Sequence, residues 1–125
     1  MKKKKILIID DETDFTDLVK LTLEETGQYE VMEANSAAEG LEAVSSFRPQ
    51  LIFLDLMMPD IDGAEAAGRL KENPETREIP LVFLTGMYLK EEAKDKGRMV
   101  GGYPFLSKPV NVDELLECIQ THLRA

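Results

Sequence analysis

The chain has 125 residues, which suits one domain, and its 43% hydrophobic and 31% charged content is ordinary for a soluble globular protein. A formal net charge of −9 argues against non-specific binding to nucleic acid, which needs a basic surface. The single cysteine, Cys118, excludes an internal disulfide and favours a reducing, cytoplasmic setting. The lysine run 2–5 is interpreted as a solvated lead into the first strand, because the apolar run after it is too short for a signal peptide or a membrane span.

Hydrophobic patterns and breakers predict strands and helices that alternate along the chain. In chain order they are a strand at Ile6–Ile9, a helix ended by Gly27, a strand at Tyr29–Glu33, a helix from Ser36 to about Phe47, a strand at Leu51–Leu54, a helix at Ala64–Asn73, a strand at Leu81–Leu84, a charged helix at Lys90–Val100, a strand at Tyr103–Leu106 and a last helix capped by Asn111. The first helix is predicted to turn Phe15, Leu18, Val19 and Thr22 inward. Capping boxes are predicted at Ser36 with Glu39 and at Asn111 with Glu114.

Five strands alternating with five helices predict an α/β fold in which a parallel sheet lies between two helical layers. The first, third and fourth strands are apolar throughout and belong in the centre of the sheet. The second strand alternates in polarity and the fifth contains Pro104, so both are predicted at edges. The order 2-1-3-4-5 of a flavodoxin-like (βα)5 three-layer sandwich satisfies these constraints. We expect residues 1–125 to form a single domain.

Polar side chains stand where four of the predicted strands end. Asp10 and Asp11 follow the first strand, Asp55 follows the third, Thr85 the fourth and Lys108 the fifth. Ligands of open parallel sheets bind beyond the carboxyl ends of the strands, where the winding of the sheet reverses. The sequence therefore predicts that these five residues form one site.

The chemistry of this site follows from its charges. Two unit charges about 4 Å apart repel by roughly 1 kcal/mol in water and roughly 4 kcal/mol at an effective dielectric of 20. Lys108 offsets part of this repulsion, and a cation held by Asp10 and Asp11 would offset the rest; oxygen ligands favour Mg²⁺, with Mn²⁺ as a substitute. An ionised Asp55 is a nucleophile that needs no base, and its attack on a phosphoryl group would give an aspartyl phosphate. The Lys108 ammonium and the Thr85 hydroxyl would hold the phosphoryl oxygens.

These motifs together resemble one family, the CheY-like receiver domain of response regulators in two-component signalling. The matching features are Asp10-Asp11, the D-L-x-M-P-x-x-D-G segment from Asp55 to Gly63, Thr85-Gly86 and Lys108-Pro109. The resemblance extends over essentially the whole chain. It implies a phosphoacceptor signalling domain rather than an enzyme, since the chain would catalyse only its own phosphorylation and dephosphorylation.

The resemblance also implies roles for further residues. The Met57 carbonyl would join Asp11 and Asp55 around Mg²⁺, and the peptide bond before Pro109 would be cis. Phosphorylation would draw Thr85 inward and change the rotamer of Phe105, which stands where tyrosine is commoner.

The implied partners are proteins. The phosphoryl donor would be a histidine kinase or a histidine phosphotransfer protein. The face formed by the fourth helix, fifth strand and fifth helix would bind a downstream effector or an output domain that the 125 residues do not contain. We expect no direct contact with nucleic acid or membrane, and a monomer or weak homodimer.

Two alternatives remain open from the residues. A binding module of the same fold could work without phosphorylation, although the intact acidic set and Lys108 speak against it. A Mg²⁺-dependent phosphatase using an aspartyl phosphate would carry a second acid two residues after the nucleophile, and Met57 occupies that position.

Overall fold

The computed structural model describes residues 2–86, 99–100 and 103–123. Within them lie the strands β1 (Lys4–Ile9), β2 (Tyr29–Ala34), β3 (Leu51–Asp55), β4 (Leu81–Thr85), β5 (Met99–Val100) and β6 (Tyr103–Ser107). The helices are α1 (Thr13–Glu25), α2 (Ala37–Phe47), α3 (Gly63–Glu72) and α4 (Val112–His122). The five predicted strands, and the four predicted helices that fall within the described residues, thus appear with boundaries shifted by a few residues.

Five strands form a parallel sheet in the order β2-β1-β3-β4-β6, which confirms the predicted topology. β3 and β4 are buried along their whole length, as their continuous apolar sequence predicts. Because β1 and β3 are adjacent and parallel, their carboxyl ends meet at one edge of the sheet.

Each face of the sheet has its own hydrophobic core. Residues of α2 and α3 pack with one set of strand side chains, including Ile9 and Leu54. Residues of α1 and α4 pack with the alternate set, including Ile8 and Phe53. This alternation follows from the period of two in a β-strand. None of the described helices is both long and apolar enough to cross a membrane.

The region before β6 differs from the prediction. Met99 and Val100 form a short strand that pairs antiparallel with Pro104 and Tyr103, so the predicted helix at Lys90–Val100 is wrong at its end; positions 90–98 lie outside the described residues. β6 is consequently not the outermost strand. Pairing of β6 with β4 begins at Phe105, one residue after the proline that lacks a backbone N–H.

The inward face of α1 is rotated from the prediction. Thr16, Val19 and Leu23 are buried, whereas Leu18 is 57% exposed. The buried positions follow the spacing of one helical face, i, i+3 and i+7. A threonine occupies the first of them, and its hydroxyl donates to the Thr13 carbonyl. Of the four residues predicted to face inward, Val19 is buried and Phe15 packs against the core, whereas Leu18 is exposed and the prediction omitted Thr16 and Leu23.

Helix termini follow the predicted capping with one correction. Asn111 and Glu114 form the predicted capping box of α4. Ser36 caps α2 by accepting from the Glu39 N–H, but the Glu39 carboxylate accepts from the N–H of Asn35 instead of that of Ser36. α1 ends before Gly27, whose φ of 78° is the left-handed conformation that glycine adopts readily.

The lysine run is more ordered than predicted. Lys4 and Lys5 belong to β1, and each donates to the carboxyl end of a helix. Lys4 Nζ lies 2.7 Å from the Leu123 carbonyl at the end of α4, and Lys5 Nζ lies 3.3 Å from the Phe47 carbonyl at the end of α2. Lysines at these positions satisfy carbonyls that have no partner within their helix.

Candidate functional site

The ends of four parallel strands bring the predicted residues to one edge of the sheet. Asp10 directly follows β1, Asp55 ends β3, Thr85 ends β4 and Lys108 directly follows β6. Asp10, Asp55 and Thr85 are buried, whereas Asp11 is exposed at the rim. The site is therefore a crevice with a buried floor and an open side.

The three aspartates form a compact cluster of oxygen atoms. One carboxylate oxygen each from Asp10, Asp11 and Asp55 lies within 4.8 Å of the others. Asp10 Oδ1 accepts from the Glu12 N–H at 2.9 Å, and the buried Asp10 Oδ2 lies 2.8 Å from Lys108 Nζ. A set of three converging carboxylates, all offering oxygen ligands, suits Mg²⁺. The residues present thus fit a divalent cation.

Lys108 supplies the positive charge of the site. Its Nζ lies 2.8 Å from Asp10 Oδ2, 2.7 Å from Glu12 Oε1 and 3.5 Å from Asp55 Oδ2. Burial alone would lower the pKa of Lys108, but its contacts with Asp10 and Glu12 outweigh burial and raise that pKa above its usual value. The Nζ also lies 5.7 Å from the centre of the Phe15 ring, within the range of a cation–π contact. Lys108 therefore stays charged at the centre of the cluster.

The environment of Asp55 opposes its ionised form. Burial, followed by the charge of Asp10, raises the pKa of Asp55 from 3.8 to about 6, although Lys108 and the Met57 N–H act in the opposite direction. The Met57 N–H donates to Asp55 Oδ1 at 3.3 Å. Holding a buried carboxylate beside a second one costs free energy that a cation or a covalent modification would relieve.

The loop between β3 and α3 passes closely behind Asp55. Met57 is 64% exposed, and its backbone N–H faces the carboxylate of Asp55. Gly63 approaches the strand end so closely that a Cβ built on it would lie 2.6 Å from the Asp55 carbonyl oxygen and 2.7 Å from Leu56 Cα. Asp62 caps α3 by accepting from the Glu65 N–H at 2.8 Å. A glycine is thus required where α3 begins against the site.

The remaining predicted residues lie on β4, β6 and the turn after β6. Thr85 is paired in register with Ser107, and its carbonyl accepts from the Lys108 N–H at 2.8 Å. The Lys108–Pro109 peptide bond is cis. Phe105 is 1% exposed and lies in the core two residues before the end of β6.

Sequence reasoning missed three residues that contact or support the site. Glu12 pairs with Lys108, Asn35 donates to the Asp10 carbonyl, and Asp60 accepts from the first N–H groups of α2. Glu12 directly follows the Asp10-Asp11 pair, so its place near a predicted site was a usable signal. Asn35 and Asp60 lie in loops, and no spacing pattern in the sequence predicts their long-range contacts.

Comparison with known proteins agrees with this geometry. The family model "Response regulator receiver domain" matches residues 6–120. The chain therefore belongs to the response regulator receiver domain family, whose members act in two-component systems.

Several relatives are similar along nearly the whole chain. The DNA-binding dual master transcriptional regulator RpaA of Synechocystis sp. is 37% identical over 96% of this chain and 49% of its own length. The phosphate regulon transcriptional regulatory protein PhoB of Pseudomonas aeruginosa is 36% identical over 99% of this chain and 53% of its own length. The chain thus spans about half the length of these two regulators. The structure of the chemotaxis protein CheY4 of Vibrio cholerae superposes with a TM-score of 0.82 at 30% identity, covering 98% of this chain and 100% of that chain.

Proposed function

We propose that this receiver domain is a phosphoacceptor switch that takes a phosphoryl group from a phosphohistidine onto Asp55 in a Mg²⁺-dependent reaction. The observation that carries the proposal is the cluster of Asp10, Asp11 and Asp55 with Lys108 in its centre. In this cluster a carboxylate, a fixed cation and an all-oxygen cation site meet at the strand ends.

Asp55 is the nucleophile of the proposed reaction. It is the last residue of the central strand β3, and its carboxylate lies between the Met57 N–H and the Lys108 ammonium. Attack of a carboxylate oxygen on phosphorus forms the O–P bond as the P–N bond breaks, and the electron pair of that bond stays on the imidazole nitrogen. Because the nucleophile is a carboxylate, no side chain is needed to remove a proton from it.

The positive and hydrogen-bonding groups act on the transferred oxygens. Phosphoryl transfer is promoted mainly by positioning and charge neutralisation. Lys108 Nζ, already 3.5 Å from Asp55 Oδ2, would contact one phosphoryl oxygen, and the Thr85 hydroxyl another. Glu12 and Asp10 hold the ammonium in place before the phosphoryl group arrives.

The metal would be held by carboxylates of Asp10, Asp11 and Asp55, with the Met57 carbonyl as a further oxygen ligand. Bound Mg²⁺, or Mn²⁺ in its place, would neutralise charge on the carboxylates and on the incoming phosphoryl oxygens. The convergence of one carboxylate oxygen from each aspartate, all within 4.8 Å of one another, supports this assignment.

The proposed output is a change in packing at β4 and β6. Thr85 and Phe105 lie on these paired strands, and the ring of Phe105 is packed in the core beside Phe83 in the register. Movement of Thr85 toward a phosphoryl group on Asp55 would alter this packing and the surface formed by β6 and α4; the fourth helix of the predicted face lies almost wholly outside the described residues. A downstream effector or an output domain would bind that surface.

The proposal on domain organisation and partners follows from the family. Residues 1–125 would act as one receiver unit, phosphorylated by a histidine kinase or a histidine phosphotransfer protein, as a monomer or weak homodimer. RpaA and PhoB are named as transcriptional regulators and are about twice as long as the matched region. Their DNA-related function belongs to those proteins, and the net charge of −9 does not favour non-specific nucleic-acid binding by these 125 residues.

Intact-mass measurement after incubation with Mg²⁺ and a small phosphoryl donor tests the proposal. Acetyl phosphate and phosphoramidate should each add one labile phosphoryl group to the wild type. Asp55→Ala and metal-depleted wild type should gain none, while Asp62→Ala, a change of equal charge in the same loop, should still be labelled. Equal labelling of Asp55→Ala, or no labelling of the wild type by either donor, would contradict the proposal.

A further inference from the structure

Asp60, in the loop between β3 and α3, forms hydrogen bonds with the start of α2. Asp60 Oδ1 accepts from the Ala37 N–H at 3.2 Å, and Oδ2 accepts from the Ala38 N–H at 3.0 Å. These N–H groups lie in the first turn of α2 and have no partner within the helix. The bonds from Ala38 and Ala37 hold the pKa of Asp60 below its usual range, so Asp60 is charged at neutral pH. The β3–α3 loop is thereby fixed to the start of α2.

The same end of α2 is tied to the loop after β1. Asn35 precedes the capping residue of α2, and its Nδ2 donates to the Asp10 carbonyl at 2.9 Å and to Thr16 Oγ1 at 3.1 Å. Its own N–H donates to Glu39 Oε1 at 3.1 Å, which fixes Asn35 on the helix. The residues at 35–38 therefore contact both loops that carry the acidic cluster.

We infer that Asp60 and Asn35 are positioning residues of the acidic site, and that the start of α2 acts as a brace between Asp10 and Asp55. In the described contacts, the two residues bond to backbone groups, including the Asp10 carbonyl, and to Thr16 and Glu39, and these bonds do not involve the carboxylates of the acidic cluster. They oppose the repulsion between carboxylates that would otherwise widen the crevice. The inference rests on the proposed function, because the distance between Asp10 and Asp55 affects binding only if the site holds a cation.

Asp62 offers a matched control within the same loop. Asp60 and Asp62 are both exposed, both carry one negative charge, and both accept from N–H groups at the start of a helix. Asp62 caps the helix that follows it directly, whereas Asp60 bonds to a helix that lies 22 to 23 residues earlier in the chain. Of these two aspartates, Asp60 is the one that bonds to an element distant in sequence.

The test is the Mg²⁺ affinity of the full chain, measured by isothermal titration calorimetry well below the unfolding temperature. Loss of an outer partner of a metal ligand costs about 10- to 100-fold in affinity, and we expect about 3- to 10-fold for Asp60→Ala because it acts through the loop. Asp62→Ala should change the affinity by less than about twofold, although it should lower thermal stability about as much by loss of a cap. Asp60→Asn should recover part of the affinity, since its amide oxygen still accepts a hydrogen bond.

A double variant tests the brace itself. Asn35→Ala breaks the connection on the Asp10 side and should weaken Mg²⁺ binding by about 10-fold. If the hydrogen bonds of Asn35 and of Asp60 together fix the distance between Asp10 and Asp55, removing the second set should add little to the loss of Mg²⁺ affinity. The variant with both Asn35→Ala and Asp60→Ala should therefore bind Mg²⁺ no more weakly than Asn35→Ala alone. Fully additive losses would contradict a shared brace.

Two further outcomes would overturn the inference. Equal weakening by Asp60→Ala and Asp62→Ala would show that only the lost charge matters. Unchanged affinity in Asp60→Ala would show that the bonds to α2 do not position the site. Failure of the wild type itself to bind Mg²⁺ would instead contradict the proposed function, so the two failures are distinguishable.

Discussion

At the amino edge of the sheet, Lys4 and Lys5 point to opposite helical layers, and each donates to a carbonyl at the end of a helix. At the carboxyl edge, Asp10 and Asp55 are buried side by side with a single lysine between them. Cations near helix carboxyl ends are favourable, whereas neighbouring buried carboxylates repel and lose hydration. The first edge therefore contributes to the stability of the fold, and the second reduces it.

This comparison of the two edges distinguishes charges that stabilise the fold from charges that are kept for function. Packing would favour replacement of Asp10 or Asp55 by neutral residues, because both carboxylates are buried and burial of a charge costs free energy. Groups kept at such a cost are candidates for chemistry. In this chain they coincide with the residues that the proposed phosphoryl transfer needs.

The largest effect on stability is expected from removal of Lys108. Lys108→Met leaves two buried carboxylates without their cation, which should lower the free energy of unfolding by about 2–4 kcal/mol. Urea unfolding without divalent cations measures this loss, and added Mg²⁺ should recover part of it. Lys2→Met, on an exposed residue, is the control. A loss no larger than that of the control would mean that the carboxylates do not depend on Lys108.

Removal of the Asp55 charge should act in the opposite direction. One pKa unit corresponds to about 1.4 kcal/mol, so Asp55→Asn should raise the free energy of unfolding at neutral pH by at most about 3 kcal/mol. The gain should shrink when Mg²⁺ is added, because the cation stabilises only the protein that keeps its carboxylate. Urea unfolding at pH 7 with and without Mg²⁺ measures both effects. Destabilisation by Asp55→Asn in metal-free buffer would contradict the account of this edge.

The gain from Asp55→Asn also has a defined pH dependence. The pKa of Asp55 is raised to about 6 in the folded state, so the folded protein binds the proton more tightly than the unfolded chain. The contribution of Asp55 to the free energy of unfolding is therefore favourable below about pH 4, and it is lost as the pH rises through 6. The difference between variant and wild type should grow over this window and remain constant above it. A stability difference between Asp55→Asn and wild type that falls as the pH rises would contradict a raised pKa of Asp55.

The smallest effects are expected at the amino edge. Lys4→Met and Lys5→Met each remove a cation from a helix carboxyl end, which should cost about 0.3–1 kcal/mol. Thermal unfolding compared with Lys2→Met measures the difference, and neither variant should alter Mg²⁺ affinity. A change in that affinity comparable to the loss from Asp60→Ala would show that the two edges are not independent.

The sequence was sufficient to predict how the site is assembled. Strand periodicity and the winding rule placed Asp10 and Asp55 at adjacent strand ends, and the structure has them there with Lys108 between. The rule works because a parallel sheet with short connections leaves few arrangements, and the central strands are recognised by continuous apolar residues.

The sequence-based predictions failed where the result depends on the path of a loop or on which side of a helix faces the core. Asp60 was missed as a contributor to the site, because its bonds to the start of α2 depend on how the β3–α3 loop folds back. The burial of Thr16 depends on the hydrogen bond that it accepts from Asn35, which hydrophobicity does not reveal. β5 is only two residues long, so it has no detectable periodicity.

Mapping the phosphoryl group tests the central claim most directly. After incubation with Mg²⁺ and acetyl phosphate, borohydride converts an acyl phosphate to an alcohol, and peptide mass spectrometry then locates the changed residue. The account predicts conversion of residue 55 from aspartate to homoserine, with Asp10 and Asp11 unchanged. Conversion at Asp10 or Asp11, or a phosphoryl group that resists reduction and resides on another residue, would contradict it.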